Sequence, residues 1–147
     1  MNAYISLRKA ALSDCPLLAD MNKQLIEDEG HRNPMTVSKL EERMRGWLES
    51  GYQAFLFIGP NAEVLGYALF RDEAEWVYLR QFYVDRRWRR KKIGTAAFSA
   101  IEEQIGMKKD RLRLDVLTKN KGGIAFWQSL GFEEYCLTLE KTVGSRP

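Results

Sequence analysis

Cysteine and histidine are scarce in this chain of 147 residues, which has two cysteines and a single histidine, His31. Cys15 and Cys136 stand far apart and form no CxxC pair, so neither a zinc site nor a disulfide framework is indicated. We therefore expect no metal, and reduced thiols in a cytoplasmic protein. Because no apolar run approaches the ~20 residues of a membrane helix, and the N-terminus lacks a hydrophobic signal region, we expect no membrane partner.

The rest of the composition is that of a globular protein, with 45% hydrophobic and 29% charged residues. The length fits one domain over residues 1–147, and the chain has no internal repeat, low-complexity tract or linker. The formal net charge is only +3. A dense cluster of cations is therefore a local feature of the chain, and it calls for a local explanation.

Apolar periodicity predicts the element order β-α-α-β-β-β-α-β-α-β. The predicted strands read AYISLRKA, YQAFLFI, EVLGYALFR, EWVYLRQFYV, RLRLDVL and FEEYCLTLEKTV. Helices are predicted after Ser13 or Asp14, from near Thr36, from Lys92 or Ile93, and over GGIAFWQSL. Consecutive strands indicate hairpins, and the β-α-β passage over residues 75–117 indicates a parallel pair. We expect a mixed α/β sheet with helices on both faces.

The sequence RRWRRKKIGTAAF, residues 86–98, begins with six cations among seven residues. A helix that starts directly after the strand ending at Val84 presents unpaired N–H groups and its positive dipole end, which suits a pyrophosphate. Positive charge would come from Arg89, Arg90, Lys91 and Lys92. Gly94 and Thr95 would keep side-chain bulk low where the phosphates approach, and Thr95 would also offer a hydroxyl donor. A solvated surface and a nucleic-acid patch are the alternatives, but no nucleic-acid-binding motif accompanies the cluster, so nucleic acid is an unlikely partner.

The stretch VDRRWRRKKIGTAAF resembles the acyl-CoA signature of the GNAT superfamily, the acetyl-CoA-dependent N-acetyltransferases. That pattern reads Arg or Gln, two residues, Gly, one residue, then Gly or Ala. Arg89 and Gly94 match its ends and Trp88 supplies the usual preceding aromatic residue, but Lys92 replaces the middle glycine. If that position requires a positive φ, lysine carries a modest backbone cost.

A second stretch, NKGGIAFWQSLGFEEY, is similar to the other GNAT hallmark through Asn120, Phe126, Gly131 and Phe132. Many members have a tyrosine where this chain has Trp127, and that phenol is thought to protonate the departing CoA sulfur. An indole N–H cannot do so, although a thiol with a pKa of about 8.5 can leave as a thiolate. We expect Asn120 to cap its helix or bind the pantetheine arm, and Trp127 to pack beside the thioester.

The resemblance implies a GNAT-like fold, with a mostly antiparallel mixed sheet and one splayed parallel strand pair. It implies transfer of the acetyl group of acetyl-CoA to a primary amine in a ternary complex, and a homodimer is common in the family. The pantetheine arm is expected beside Phe82, Tyr83 and Val84, and the diphosphate at the helix start near Ile93. A non-catalytic acyl-CoA-binding domain is the alternative.

The catalytic base is less clear from the sequence. The position of the family's strand glutamate is Tyr78, which is a poor base at neutral pH but could orient a water or the amine. The other candidates are Glu75 at the strand start and Glu29 between the first two helices, with Glu27, Asp28 and His31 as further alternatives beside Glu29. The acidic segment EDEGH that contains Glu29 could also attract a cationic amine.

Strand alternation places Arg80 on the face of Tyr78 and Phe82, where it could contact the cofactor, a carboxylate on the substrate, or a structural partner. The sequence does not identify the acceptor amine. A polyamine, an aminoglycoside, an amino acid and a protein N-terminus all remain open.

Overall fold

Five strands form one mixed sheet in the computed structural model, which describes residues 5–89, 92–106 and 109–144. Their order across the sheet is that of the sequence. They are β1 (Ser6–Lys9), β2 (Tyr52–Ile58), β3 (Val64–Asp72), β4 (Trp76–Val84) and β5 (Arg111–Arg113). The first four pair antiparallel, and β5 pairs parallel with β4. The predicted mixed sheet, mostly antiparallel with a parallel pair, is confirmed.

Helices cover both faces of this sheet, as the sequence predicts. One face packs against α1 (Cys15–Glu29) and α2 (Val37–Leu48), the other against α3 (Ile93–Ile105) and α4 (Lys121–Ser129). Neighbouring residues of β2 therefore enter different cores: Leu56 packs with the α1 side and Phe57 with the α3 side. Burial on both faces explains why β2 and β3 read as continuous apolar runs rather than alternating ones.

The helix ends follow local signals in the sequence. Gly30 ends α1 in the left-handed conformation, with φ 70°, which glycine adopts without a Cβ penalty. The Thr36 hydroxyl accepts a hydrogen bond from the Lys39 N–H at 3.3 Å and so caps α2. These two ends fix the α1–α2 connection, which lies beside the functional site.

A bulge interrupts β4 at Arg80. Leu79 and Gln81 pair with consecutive residues of β3, so Arg80 has no partner residue opposite it. The extra residue reverses the alternation of side chains: Leu79 packs with the α3 core, and beyond the bulge so do Phe82 and Val84. The expectation that Arg80 and Phe82 share a face, which assumed unbroken alternation, is wrong.

The pairing between β4 and β5 ends just before this bulge. Its last pair joins Tyr78 to Arg113, whereas alternation predicted a strand over residues 111–117. That prediction is too long, because a bulge bends and twists its strand away from its neighbour. Within the described residues, the backbone from Leu79 to Val84 has no strand on the β5 side, and this opening is the expected splay of the parallel pair.

The predicted final strand is also wrong, because residues 132–143 belong to no strand. Side-chain contacts connect the segment to distant parts of the chain: the Arg113 guanidinium lies 4.5 Å from the Tyr135 ring centroid, and Arg32 pairs with Glu140 at 2.8 Å. Alternation predicts a strand only where one face becomes buried, and here the apolar side chains are exposed, namely Tyr135, Leu137, Leu139 and Val143.

The homodimer implied by the resemblance stays a prediction.

We predict that Gly66→Ala destabilises the protein by at least about 2 kcal/mol, because a Cβ at this β3 position would overlap the backbone carbonyl of Tyr83 on β4. Gly46→Ala, within α2, is the control, since its added Cβ meets nothing within 4 Å. Replacing a helical glycine should raise stability by about 0.5–1 kcal/mol. Urea unfolding of both variants checks the opposite signs; equal stability of Gly66→Ala and the parent would contradict this β3–β4 contact.

Candidate active site

A cavity of about 300 Å³ lies where β4 leaves β5. Side chains from α1, α2, β4, α4 and the segment after β5 reach it, so it forms only when both faces of the sheet are in place. The lining residues are Asn22, Leu25, Ile26, Glu29, His31, Asn33, Arg43, Tyr78, Leu79, Arg80, Gln81, Phe82, Leu114, Asp115 and Trp127. Four of the predicted site residues, namely Glu29, Tyr78, Phe82 and Trp127, thus line the same opening.

Trp127 forms an aromatic wall of the cavity. Its indole makes a T-shaped contact with Phe82, with ring centroids 5.1 Å apart, and packs in the same way against Phe98 at 5.6 Å and Phe132 at 5.4 Å. Edge-to-face packing of this kind fixes ring orientation. Trp127 is therefore a half-buried wall residue, while Phe126 beside it packs toward α3. That Trp127 lies beside a bound thioester stays a prediction.

Gly94 allows this close approach of α4 to α3. A Cβ at Gly94 would lie 3.2 Å from Cε1 of Phe126, tighter than ordinary contact. The sequence assigned this glycine to the approach of phosphates. In the structure it has a packing task in the first turn of α3, and this contact is sufficient to explain the absence of a side chain.

Tyr78 donates a hydrogen bond to Asp115 Oδ2 at 2.8 Å. Burial, and then this hydrogen bond, raises the pKa of Tyr78 to about 12, so the phenol keeps its proton at neutral pH and cannot act as a base. Sequence reasoning missed Asp115. The polar residues Arg111, Arg113 and Asp115 do alternate along the predicted strand, but the pattern does not reveal that the last one faces a cavity.

Glu29 is the carboxylate at the α1 end of the cavity. Its Oε1 lies 3.1 Å from Nε2 of His31. Burial raises the pKa of Glu29 above its ordinary value, and the neighbouring His31 offsets this only in part. The other candidates are placed differently: Glu75 and Glu27 are exposed, and neither lines the cavity.

Asp28 has a different task from its neighbour Glu29. Its carboxylate accepts hydrogen bonds from the guanidinium groups of Arg86 and Arg89, and its side chain is only 11% exposed. Burial alone would raise the pKa of Asp28, but these bonds and one from Gln24 lower it below the ordinary 3.8. Asp28 thus ties the basic turn to the end of α1, a link that no sequence pattern could reveal across 58 and 61 residues.

The basic turn itself is shaped by hydrogen bonds to its own backbone. Asp85 Oδ1 accepts from the Arg87 N–H at 2.9 Å, and Arg89 Nε donates to the Val84 carbonyl at 2.8 Å. Arg89 is therefore bound at both ends, to Val84 and to Asp28. The Val84 carbonyl is likewise already engaged, and the Tyr83 carbonyl faces Gly66 on β3. This leaves Phe82 as the predicted residue whose backbone groups adjoin the opening. The predicted contacts Arg90 and Lys91 lie outside the described residues.

The turn leads into α3 through Lys92, which has φ 60° and ψ 18°. Its carbonyl accepts the first helical hydrogen bond, from Ala96 N at 3.1 Å. The N–H groups of Ile93, Gly94 and Thr95 precede that bond and have no acceptor within the helix. The left-handed conformation of Lys92 explains why a glycine is usual at this motif position.

Asn120 caps α4, because its Oδ1 accepts a hydrogen bond from the Gly123 N–H at 3.0 Å. A Cβ at Gly123 would crowd this side chain, so the glycine at this position accommodates the cap. A contact of Asn120 with pantetheine stays a prediction.

Metal-ligating side chains do not cluster in residues 5–89, 92–106 and 109–144: no group of three or more His, Cys, Asp or Glu could hold an ion there. In the same residues no helix is both long and apolar enough to cross a membrane.

A sheet that opens at a parallel pair, with a polar cavity at the opening and a helix beginning just beyond β4, is the fold class that the two sequence motifs imply. Comparison with known proteins agrees. The model of the acetyltransferase (GNAT) family matches residues 20–132. The chain belongs to this family, and that membership supports acyltransferase activity.

Solved structures share the fold. A possible acetyltransferase from Clostridium difficile 630 has a TM-score of 0.78 at 20% identity, over 97% of this chain and 99% of that one. A mutant of the BH1408 protein from Bacillus halodurans has 0.78 at 21%, over 94% and 99%. The aminoglycoside N-acetyltransferase AAC(6')-Iy, in complex with CoA, has 0.73 at 13%, over 99% and 98%. No curated protein matches the chain. These identities establish the fold alone.

We predict that Lys92→Gly raises the free energy of unfolding by about 1 kcal/mol, because it removes a Cβ from a left-handed residue. Lys92→Ala is the matched control: it removes the same charge but keeps the Cβ, so it should bring no such gain. Thermal and urea unfolding measure the difference. If the two variants were equally stable, the left-handed conformation at this position would be disproved.

We predict that Asp28→Asn loses stability at neutral pH, because Arg86 and Arg89 then face an uncharged partner. Asp28 has a lowered pKa in the folded state, so its contribution is complete above the unfolded value and disappears as pH falls through the folded one. The difference from the parent should therefore shrink below about pH 3.8. Asp20→Asn, on the exposed side of α1, should change little at any pH; a pH-independent loss in Asp28→Asn would contradict the ion pair.

Proposed function

We propose that this protein is an N-acetyltransferase that moves the acetyl group of acetyl-CoA to a primary amine. The observation that carries the proposal is the cavity at the β4–β5 opening, because it brings a free strand edge and an aromatic wall together with the Glu29 carboxylate. An acyl donor and an amine could meet there, out of bulk water.

The residues around the opening fit the parts of acetyl-CoA. The pantetheine arm carries amides, and the backbone of Phe82, on the edge of β4 that β5 leaves open, offers groups of the kind that bind an extended ligand as an added strand. The first N–H groups of α3 suit the diphosphate, and the exposed Thr95 adds a hydroxyl donor. Of the predicted cationic contacts, Lys92 is exposed at this corner, whereas Arg89 would have to share its guanidinium between Asp28 and a phosphate.

The transfer is a substitution at the thioester carbonyl. A neutral amine nitrogen forms the new carbon–nitrogen bond, the carbon–sulfur bond breaks, CoA leaves as the thiolate, and the proton lost by nitrogen passes to a base. A backbone N–H of β4 near Phe82 is placed to donate to the carbonyl oxygen as negative charge develops on it. One such donor is worth roughly 3–4 kcal/mol in other enzymes.

Glu29 is the base that this arrangement favours. An alkylammonium group has a pKa near 10.4, so the acceptor arrives charged and must lose a proton before it attacks. The raised pKa of Glu29 makes it a better proton acceptor than an ordinary glutamate. Tyr78 keeps its proton and donates a hydrogen bond to Asp115, and we assign this pair to the attraction and orientation of the amine.

The leaving thiolate needs no protonation by Trp127. The indole has no acidic proton, and its T-shaped contacts hold it as a wall of the cavity. Trp127 therefore limits the space beside the thioester, and the departing sulfur takes a proton from water.

We predict that the wild-type protein releases CoA thiol from acetyl-CoA in an amine-dependent way, and that Glu29→Gln lowers kcat by about 100-fold or more, the usual share of a general base. The wild-type kcat should fall as pH drops through a pKa above 4.5, and the variant should lack this limb. Glu75→Gln, at an exposed residue outside the cavity, is the control and should match the parent.

Two results would reject the proposal in different ways. Tight binding of acetyl-CoA without thiol release across an amine panel would leave the non-catalytic acyl-CoA-binding domain as the function, a candidate favoured by Trp127 in place of a tyrosine. Absence of acetyl-CoA binding in calorimetry would reject both.

A further inference from the structure

Two arginines line the cavity without a carboxylate partner. The guanidinium carbons of Arg43 on α2 and Arg80 at the β4 bulge lie 4.4 Å and 4.6 Å from the ring centroid of Trp47. The other short polar contacts of the two groups are to neutral oxygens: Arg43 Nη2 donates to Asn22 Oδ1 at 3.3 Å, and Arg80 Nη1 to the Tyr52 hydroxyl at 3.1 Å. In the described part of the chain neither takes part in an ion pair.

Buried donors accompany these charges. Asn22 is 1% exposed and lines the cavity, and its Nδ2 has no hydrogen-bond partner in the structure. The same holds for Nε of Arg43. The Asn22 oxygen accepts a hydrogen bond from Arg43, and its Nδ2 group is a donor that a ligand could use. Unsatisfied buried donors are rare and call for an explanation. An anion bound in the cavity would explain them, because it would accept their hydrogen bonds.

The guanidinium groups are held in place before any ligand binds. Arg80 lies over the Trp47 ring and is fixed by the Tyr52 hydroxyl, while Trp47 and Tyr52 pack together with centroids 5.6 Å apart. Burial, and then the positive charge of Arg80, lowers the pKa of Arg43. Arg43 is half-buried and Arg80 is exposed, and like charges near each other disfavour the charged forms, so a binding task explains the pair better than a structural one.

The opposite charge lies elsewhere in the same cavity. Glu29 lines it from the end of α1. Asp115, which accepts a hydrogen bond from Tyr78, lines it from the segment after β5. The cavity is thus lined by both cations and carboxylates, while its volume of about 300 Å³ is at the small end for ligand sites. A small molecule with both charges matches this distribution better than a large polycation.

We infer that the acceptor is a small amine that also carries a carboxylate, of which a free amino acid is the simplest class. The carboxylate binds to Arg43, Arg80 and the Asn22 amide, which leaves the amine toward Glu29 and Asp115. This inference rests on the proposed function, because it names the second substrate of the same cavity. A polycation such as an aminoglycoside would bring further positive charge against two unneutralised arginines.

The test compares each of the twenty protein amino acids with its own carboxamide, which keeps the amine and side chain but removes the negative charge. With acetyl-CoA saturating, thiol release gives kcat/KM for each acceptor. We expect at least one amino acid to exceed its amide by about 10- to 100-fold, the value of hydrogen bonds to a charged group. Spermidine and kanamycin should be poorer acceptors than that amino acid.

Variants locate the effect. Arg43→Gln and Arg80→Gln should each bring the acid-to-amide ratio close to one, chiefly through KM. Arg45→Gln is the control, because Arg45 is on the same helix but pairs with Glu41 and does not line the cavity; its ratio should equal that of the parent. Ratios near one in the parent, or an unchanged ratio in both cavity variants, would overturn the inference.

A binding measurement separates this inference from the proposed function. In calorimetry with saturating CoA, the parent protein should bind the preferred amino acid more tightly than its amide. The Arg43→Gln variant should bind the two with equal affinity. If thiol release fails but this difference in affinity remains, the acetyltransferase proposal is rejected and the carboxylate site stands. If thiol is released with simple amines while acid and amide bind alike, the carboxylate site is rejected and the acetyltransferase stands.

Discussion

The extra residue in β4 is the constraint on which the other features of the site depend. Because Arg80 has no residue opposite it on β3, β4 bends away from β5 after only three paired positions, and a cavity forms where the two strands part. The same insertion turns Phe82 toward Trp127 and leaves Arg80 among the aromatic rings above α2. An unbroken strand would close the opening and direct Phe82 to the other face.

The arginines of this chain serve in two different environments. Arg86 and Arg89 belong to the conspicuous basic turn, yet both bind Asp28 and so connect the turn to α1. Arg43 and Arg80 lie far apart in the sequence, yet they meet over Trp47 with no carboxylate beside them. The dense cluster therefore contributes in part to structure, while the isolated residues remain available to a ligand. Charge density along the sequence is a weaker indicator of binding than the absence of a partner in space.

Much of the fold could be predicted from local patterns. The strands through Val84, the cap at Thr36 and the start of α3 at Ile93 follow from periodicity and capping, which depend on neighbours in the chain. The two motifs located the family without any structure. The predictions that depended on a distant partner strand were wrong or incomplete. The segment over residues 132–143 has no strand beside it, and β5 stops pairing with β4 at the bulge.

The sequence by itself determined the class of fold, the family and the corner where α3 begins, because these are encoded in residue types at short, fixed spacings. Only the tertiary structure decided that Glu29 and not Glu75 lines the cavity, that Tyr78 donates to Asp115, and that Arg43 joins Arg80. The physical reason is that burial and charge pairing depend on residues brought together from α1, α2, β4 and beyond β5. No spacing along the chain records which of them become neighbours.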